Sequence, residues 1–556
     1  CLEKQPAQRF QSASDVAFAL DALAGSSSGS MPDLDARIDR PRPPVPVPWR
    51  LLAIGGALVL GLAAGTFVTR RLVGPSASAP PTYDAKTFDR LPVMNARFMP
   101  DGQTIVYSAA TRGYVPQLYV INPTAETPQR LDVPNAHLLS VSSAGELLLI
   151  INARHLQQRL YGGTLARMTL GSSPRAVLED VREADWAPDG AAMAVVRDLG
   201  NDRDRLEFPV GTALHEASGY LSDPRVSPDG TRVAFVAHPW RYDDRGTVMV
   251  ADGKGSVVTL SDELWSIEGL AWSADGSRLV FSGNATGGSF MQPMTVPAAG
   301  GAAPRVLFSV PGRLIVHDIA RDGRWLAVRE DLVFGTRAKV PGSDGERELS
   351  WLGSSGARSL SSDGRQLLMV DVGQRSGADY GVILRPTDGA GAVRLGNGNP
   401  EKLSPDGRWA AATIAKPAQV VLYPTGAGEP IRLGGDTFAL VASAQWFPDG
   451  RQLLLCGSEP GKPPRCYRQS IDGTPAVPLT DDGVTASLGP DGATVLLTLA
   501  DGTMAAGQLG ASATRPLSSM RRDDRVVGWS SDSRAVYVQR GFELPAKVER
   551  VELASG

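Results

Sequence analysis

A turn built on Asp-Gly returns eleven times between residues 99 and 533, and this repetition limits the fold more than any other feature of the chain. Full copies are Met99-Pro-Asp-Gly102, Ala187-Pro-Asp-Gly190, Ser227-Pro-Asp-Gly230, Ser404-Pro-Asp-Gly407, Phe447-Pro-Asp-Gly450 and Gly489-Pro-Asp-Gly492. Looser copies end at Gly276, Gly323 and Gly364, and degenerate ones at Gly145 and Ser533. The Asp positions run from 101 to 532 at a mean spacing of about 43 residues. Proline presets one backbone angle, aspartate bonds nearby backbone and glycine accepts a positive φ, so each copy is a turn between antiparallel strands.

The flanks agree with that reading. Three residues before the Asp position stands a large apolar side chain in every copy, among them Phe98, Trp186, Trp272, Trp446 and Trp529. Apolar pairs two apart follow each turn, such as Val233/Phe235 and Leu453/Leu455, the pattern of one strand face. Further strands fit within each repeat, for example Gln117–Ile121, giving about four strands per repeat, the size of a propeller blade. The expected fold class is mainly all-β, as tandem β-propellers of about eleven four-stranded blades, because one ring typically holds four to eight. The tryptophans are expected to pack blade against blade. Residues 87–91 are expected to act as the last strand of a blade.

The first eighty residues read differently. Ser12 and Asp15 form a capping-box-like pair ahead of Val16, Leu20 and Leu23, so 1–23 reads as a short helical remnant of a larger domain. Residues 24–49 are a Gly/Ser- and Pro-rich linker. Its Gly25-Ser-Ser-Ser-Gly29 matches the G-x-S-x-G pattern, but without the strand and helix that a hydrolase needs around it. Residues 50–71 are expected to form one transmembrane helix: 51–68 carry no charge and span about 27 Å. The arginines on each side weakly favour a cytoplasmic N-terminal side. Gly61 and Gly65 form a G-x-x-x-G, which allows helix packing and hence a homodimer. Propellers are expected at 83–355 and 356–556.

Two resemblances give these zones a family. Cys1-Leu-Glu-Lys-Gln-Pro-Ala-Gln-Arg-Phe10-Gln-Ser-Ala-Ser-Asp15 resembles the end of a bacterial serine/threonine protein kinase domain, where Arg9 would be the structural arginine of the C-terminal lobe. The repeats resemble PD40, or TolB-like and WD40-like, propeller repeats. Kinase, linker, membrane helix and PD40 propeller in that order is an arrangement known in bacteria. The resemblance implies a sensor region in the periplasm or outside the cell, anchored by one span in the cytoplasmic membrane and binding a protein or small-molecule ligand. A membrane-tethered TolB-like scaffold with no signalling role is the alternative. The chain has no Gly-rich loop, strand lysine, H-R-D or D-F-G element, so no catalytic or cofactor-binding residue is assigned in it. ATP and Mg are implied only for a kinase core upstream.

Other chemistry is sparse. A net charge of −3 offers no basic excess for nucleic acid. His137, His155, His215, His238 and His317 fall in different repeats, none at a recognised metal spacing, and no metal ligand is assigned. Cys456 and Cys466 bracket a hairpin loop and could face each other as a disulfide in an oxidising compartment; two free buried thiols are the other reading.

Overall fold

The computed structural model describes residues 81–556 apart from short segments at 112–113, 126, 158, 201–202, 242, 288–289, 340–343, 374–375, 377–378, 512, 522–523 and 541–546. Each turn foreseen from the repeat closes in the same way. The N–H of the fourth residue donates to the C=O of the first, as in Gly102 to Met99, Gly276 to Ser273 and Ser533 to Ser530. The aspartate Oδ1 accepts from the N–H two residues on, at 3.0 Å from Thr231 to Asp229 and 2.9 Å from Arg451 to Asp449. Glycine occupies the left-handed backbone region there, with φ 65° at Gly102 and 71° at Gly492.

These turns join the first and second strands of antiparallel sheets. The sheet Tyr220–Val226, Arg232–His238, Thr247–Asp252, Val257–Thr259 is representative: four strands paired in chain order. Alternate residues of its middle strands fill the space between sheets. Val233 and Phe235 pack against Ala194, Val196 and Leu206 of the preceding sheet, and all five are fully buried.

The fold-class expectation needs correction. Among the described residues every regular element is a strand, and no helix is long and apolar enough to cross a membrane. The transmembrane helix placed at 50–71, with Gly61 and Gly65, and the kinase-like segment 1–23, with Arg9, lie outside the described residues. Nor do the repeats yield uniform four-stranded blades in tandem propellers. Among the described residues there are eleven sheets of unequal width: seven of four strands, one of seven, two of two and one of three.

The seven-stranded sheet arises because Arg175–Trp186 runs unbroken across a repeat boundary. Its first half pairs back, Leu178 with Leu165, and its second half pairs forward, Ala184 with Val195. No glycine or proline lies in that strand to interrupt it. The two-stranded sheets are Arg313–Ile319 with Trp325–Glu330, and Arg337–Lys339 with Glu346–Glu348. The second of these leads into Leu349, which packs on Leu367, Met369 and Ile383 of the following sheet. Residues 87–91 form no strand.

Successive sheets are joined at their first strands. Trp272 donates its indole N–H to the Arg225 carbonyl of the sheet before, at 2.9 Å, and Trp529 donates to Ser487 Oγ at 3.0 Å. A second bond recurs at five joints. The side chain four residues before the turn Asp accepts from the backbone N–H three residues before the next repeat's Asp. The pairs are Ser140 with Trp186, Asp185 with Val226, Ser359 with Leu403, Gln445 with Leu488, and Asp318 with Phe98. The last spans 220 residues and brings the strand Arg313–Ile319 against Val93–Phe98.

Cys456 and Cys466 are direct cross-strand partners in Gln452–Ser458 and Arg465–Ser470, with Cα atoms 4.0 Å apart, and the two sulfurs are bonded. Both are buried against Leu454, Ala486 and Val495. Replacing both by alanine is expected to lower unfolding stability by about 2–3 kcal/mol, read from denaturant midpoints under non-reducing conditions. An unchanged midpoint, with no mass change of the native protein on reduction, would show free thiols instead.

Candidate functional site

In each of the first six repeats the opening strand carries a bulge. A polar side chain at or near each bulge lines the space where these strands meet. The side chains so placed are Asn95, His137, Glu183, Ser222 with Asp223, Glu268 and His317. At the fourth and fifth of these repeats the bulge is left-handed. Asp223 has φ 50° and its counterpart Gly269 has φ 70°, where an added Cβ would sit 2.1 Å from the Val316 carbonyl oxygen. Only glycine fits that second position.

Together these residues line a cavity of about 50 Å³, closed by Met94, Ile267, Ile315, Tyr220 and the tip of a long hairpin. That volume is several times what one ordered water needs and far below that of a drug-sized pocket.

The hairpin is Glu146–Gln157 and Leu160–Thr169, and its turn delivers Arg159. Arg159 Nε lies 2.9 Å from Glu268 Oε2, and its Nη2 lies 2.7 Å from Glu330 Oε1. Arg313 bridges the same two carboxylates, 2.8 Å from Glu330 and 3.4 Å from Glu268. Arg159 also donates to the Val93 carbonyl at 2.6 Å. Two guanidiniums and two carboxylates thus neutralise one another across four separate strands and loops.

Two more arginines on the opening strands, Arg97 and Arg225, are bound mainly to backbone carbonyls. Arg97 donates to the carbonyls of Ala96, at 2.8 Å, and His317, at 2.9 Å. Arg225 donates to Leu270 O at 2.7 Å and also to His317 O. Burial, and then the nearby Arg225, push the Arg97 guanidinium down to about 9, so it keeps its charge at neutral pH.

The histidines here are neutral. Burial holds His137 down at about 3 and His238 at about 4, and burial with Arg159 and Arg97 holds His317 well below the usual range. His238 Nδ1 donates to the Arg245 carbonyl at 2.7 Å, so its Nε2 is the acceptor for Ser222 Oγ, 2.9 Å away. His137 Nδ1 meets Ser108 Oγ at 2.9 Å, and the ring stacks on Tyr161. His317 Nε2 is buried without a partner.

Glu183 is the least compensated acid of the site. Removal from water, then Asp223, raises its carboxyl to about 8. Among the described residues no ion pair reaches Glu183 or Asp223; Asp223 Oδ2 accepts a weak bond from Gly269 N at 3.3 Å, and Ser222 Oγ, 3.1 Å away, has its one proton on His238 Nε2.

None of these residues was singled out from sequence for this site, and the histidines were read as scattered. Three of the five converge here, with His137, His238 and His317 all lining the cavity. A signal was present. A polar residue stands five to seven places before the turn Asp in each of the first six repeats, on a strand whose other residues are largely apolar. Among the described residues no group of three or more His, Cys, Asp or Glu is arranged to hold a metal ion. The sequence-assigned pair Cys456 and Cys466 lies in a later sheet and does not line the cavity.

No family model matches the chain, and no curated protein matches it. Among solved structures it is similar to a putative TolB from Agrobacterium tumefaciens, at 14% identity over 48% of this chain and 82% of that one, with a TM-score of 0.20. TolB from Acinetobacter baumannii gives 16% identity over 61% and 82%, with a TM-score of 0.22. A GH74 enzyme from Niastella koreensis gives 11% identity over 83% of each chain, with a TM-score of 0.33. At these scores the fold of this chain stands on its own hydrogen bonds and strand registers.

Glu183 makes stability depend on pH in a fixed direction. The folded protein keeps this proton up to about pH 8, whereas an unfolded glutamate releases it near 4.3. Unfolding between those values therefore releases a proton, and this residue's contribution falls as pH rises from about 5 to about 8. Glu183→Gln should raise the melting temperature at pH 8 more than at pH 5. An equal effect at both values would show an ordinary carboxylate.

Proposed function

We propose that the repeats form a protein-binding scaffold of propeller-type sheets, and that this scaffold is the sensor part of a receptor-like serine/threonine protein kinase. The observation that carries the binding role is an exposed apolar patch beside the two-stranded sheets. Leu332, Val333 and Phe334 run in sequence with 51%, 75% and 37% of their surface exposed, and Leu352 is 55% exposed. The Phe334–Ser354 bridge, and Ser354 Oγ donating to the Leu332 carbonyl at 2.8 Å, hold the two segments side by side. A fixed, contiguous apolar surface of this kind is a feature of surfaces that bind partners.

The sensor role is supported by sequence alone. It rests on the order of the kinase-like segment with Arg9, the Pro-rich linker, the uncharged stretch 51–68 and the repeats. In this reading the chain crosses the cytoplasmic membrane once, with the repeats in the periplasm or outside the cell. Gly61 and Gly65 would pack two copies as a homodimer. ATP and Mg would be needed only by a kinase core upstream of Cys1, and nucleic acid is not a partner.

The patch provides the test. Val333→Asp combined with Leu352→Asp should reduce recovery of cross-linked partner proteins on intact cells at least tenfold, with the near-ultraviolet circular dichroism of the purified variant unchanged. The same partners recovered in the same yield would overturn the binding role. Equal loss when the cross-linker is confined to the cytoplasm would overturn the placement outside the membrane.

A further inference from the structure

The cavity between the opening strands has a chemistry that the scaffold reading does not use. Several of its polar lining groups lack a partner of opposite charge or a hydrogen-bond donor. Glu183 and Asp223 bring carboxyl groups with no ion-pair partner among the described residues. Ser222 gives its proton toward His238 Nε2, leaving its lone pairs open. His317 is 5% exposed, lines the cavity, and has Nε2 buried without a partner.

The one guanidinium in the lining, Arg159, is taken by Glu268 and Glu330. The other cations that act on Glu183 are also engaged. Arg97 bonds the Ala96 and His317 carbonyls, Arg225 bonds Leu270 and Asp185, and Arg182 pairs with Asp198 and Asp204. The site therefore holds the Asp223 carboxylate, unpartnered acceptor atoms and a Glu183 carboxyl that gives up its proton readily only beside a compact donor carrying positive charge.

We propose that this cavity binds a primary ammonium group, held by Glu183, Asp223, Ser222 and the free nitrogen of His317. Three N–H donors on one small charged head match an acceptor set of this kind, and a cavity of about 50 Å³ has room for such a head. The left-handed bulge at Asp223 is consistent with a functional position, because strained backbone collects at binding sites. A bound cation would also favour the charged form of Glu183 and so offset the burial that raises it. The group can come from a free small amine or from a lysine side chain of a polypeptide.

The test uses the full chain in lipid nanodiscs, labelled with ¹⁵N only at its five histidines. Ethylammonium chloride is titrated by calorimetry and by histidine spectra, against sodium chloride at equal concentration. The expected result is one-to-one binding, a shift of the His317 Nε2 resonance, and at least a tenfold loss of affinity in the Glu183→Gln, Asp223→Asn variant. If Nα-acetyl-lysine amide binds as well, the source is a lysine side chain; if only ethylammonium binds, it is a free amine. No binding, an unmoved His317 resonance, or the same response to sodium overturns the proposal. Should the double variant fail to fold, the wild-type His317 shift decides alone. Neither probe touches the patch at Val333, so failure here leaves the scaffold reading intact, and the reverse holds too.

Discussion

The structure depends on one recurring bond between the opening strands of neighbouring repeats. A side chain beside the bulge of one opening strand accepts from the backbone N–H of the next repeat's opening strand. Such an N–H faces away from its own sheet and would otherwise be buried unpaired, at a cost of about 1–3 kcal/mol. Satisfying it fixes how far each sheet is displaced along its neighbour. Asp318 has the longest reach, because it sets the sixth repeat against the first. Apolar packing presses the sheets together without choosing a register, and the polar bond chooses it.

The same bulges explain why a cavity exists at all. A polar side chain at or near each lines the space where the opening strands meet, and no apolar core can form around it. Some of the charges that collect there cancel, in the Arg159, Glu268, Arg313, Glu330 network. Others are spent on carbonyls, as Arg97 and Arg225 are on His317 O. Glu183 and Asp223 are left over without an ion-pair partner among the described residues, and that is what gives the site its chemistry. Buried ion networks contribute little net stability, so a specific arrangement or a ligand is the better account of an uncompensated pair.

Much of the sheet framework was legible in the sequence. The Pro-Asp-Gly turns, the apolar pairs after them and the large residue before them are local patterns, and the structure places them at strand junctions. Trp272 sits between sheets as that pattern implied, its indole N–H bound to the sheet before. Sheet width was not legible, because Arg175–Trp186 continues through a boundary that repeat spacing alone would mark as a break. That Trp325–Glu330 pairs with no third strand among the described residues leaves no local sign either. The candidate site was half legible. A polar residue five to seven places before each turn is visible once the strands are aligned, but Arg159 reaches Glu268 and Glu330 across 109 and 171 residues, and no local period encodes that. The short apolar and kinase-like segments before residue 81 lie outside the described residues.

The most direct measurement is hydrogen exchange at the Phe98 amide, compared in wild type, Asp318→Asn and Asp318→Ala. If the inter-sheet bond sets the arrangement, Asp318→Ala exchanges this amide at least tenfold faster and shifts the His137 and His317 resonances, while Asp318→Asn, which keeps an acceptor oxygen, stays close to wild type. Unchanged Phe98 exchange in Asp318→Ala, with the histidine resonances in place, would contradict the account.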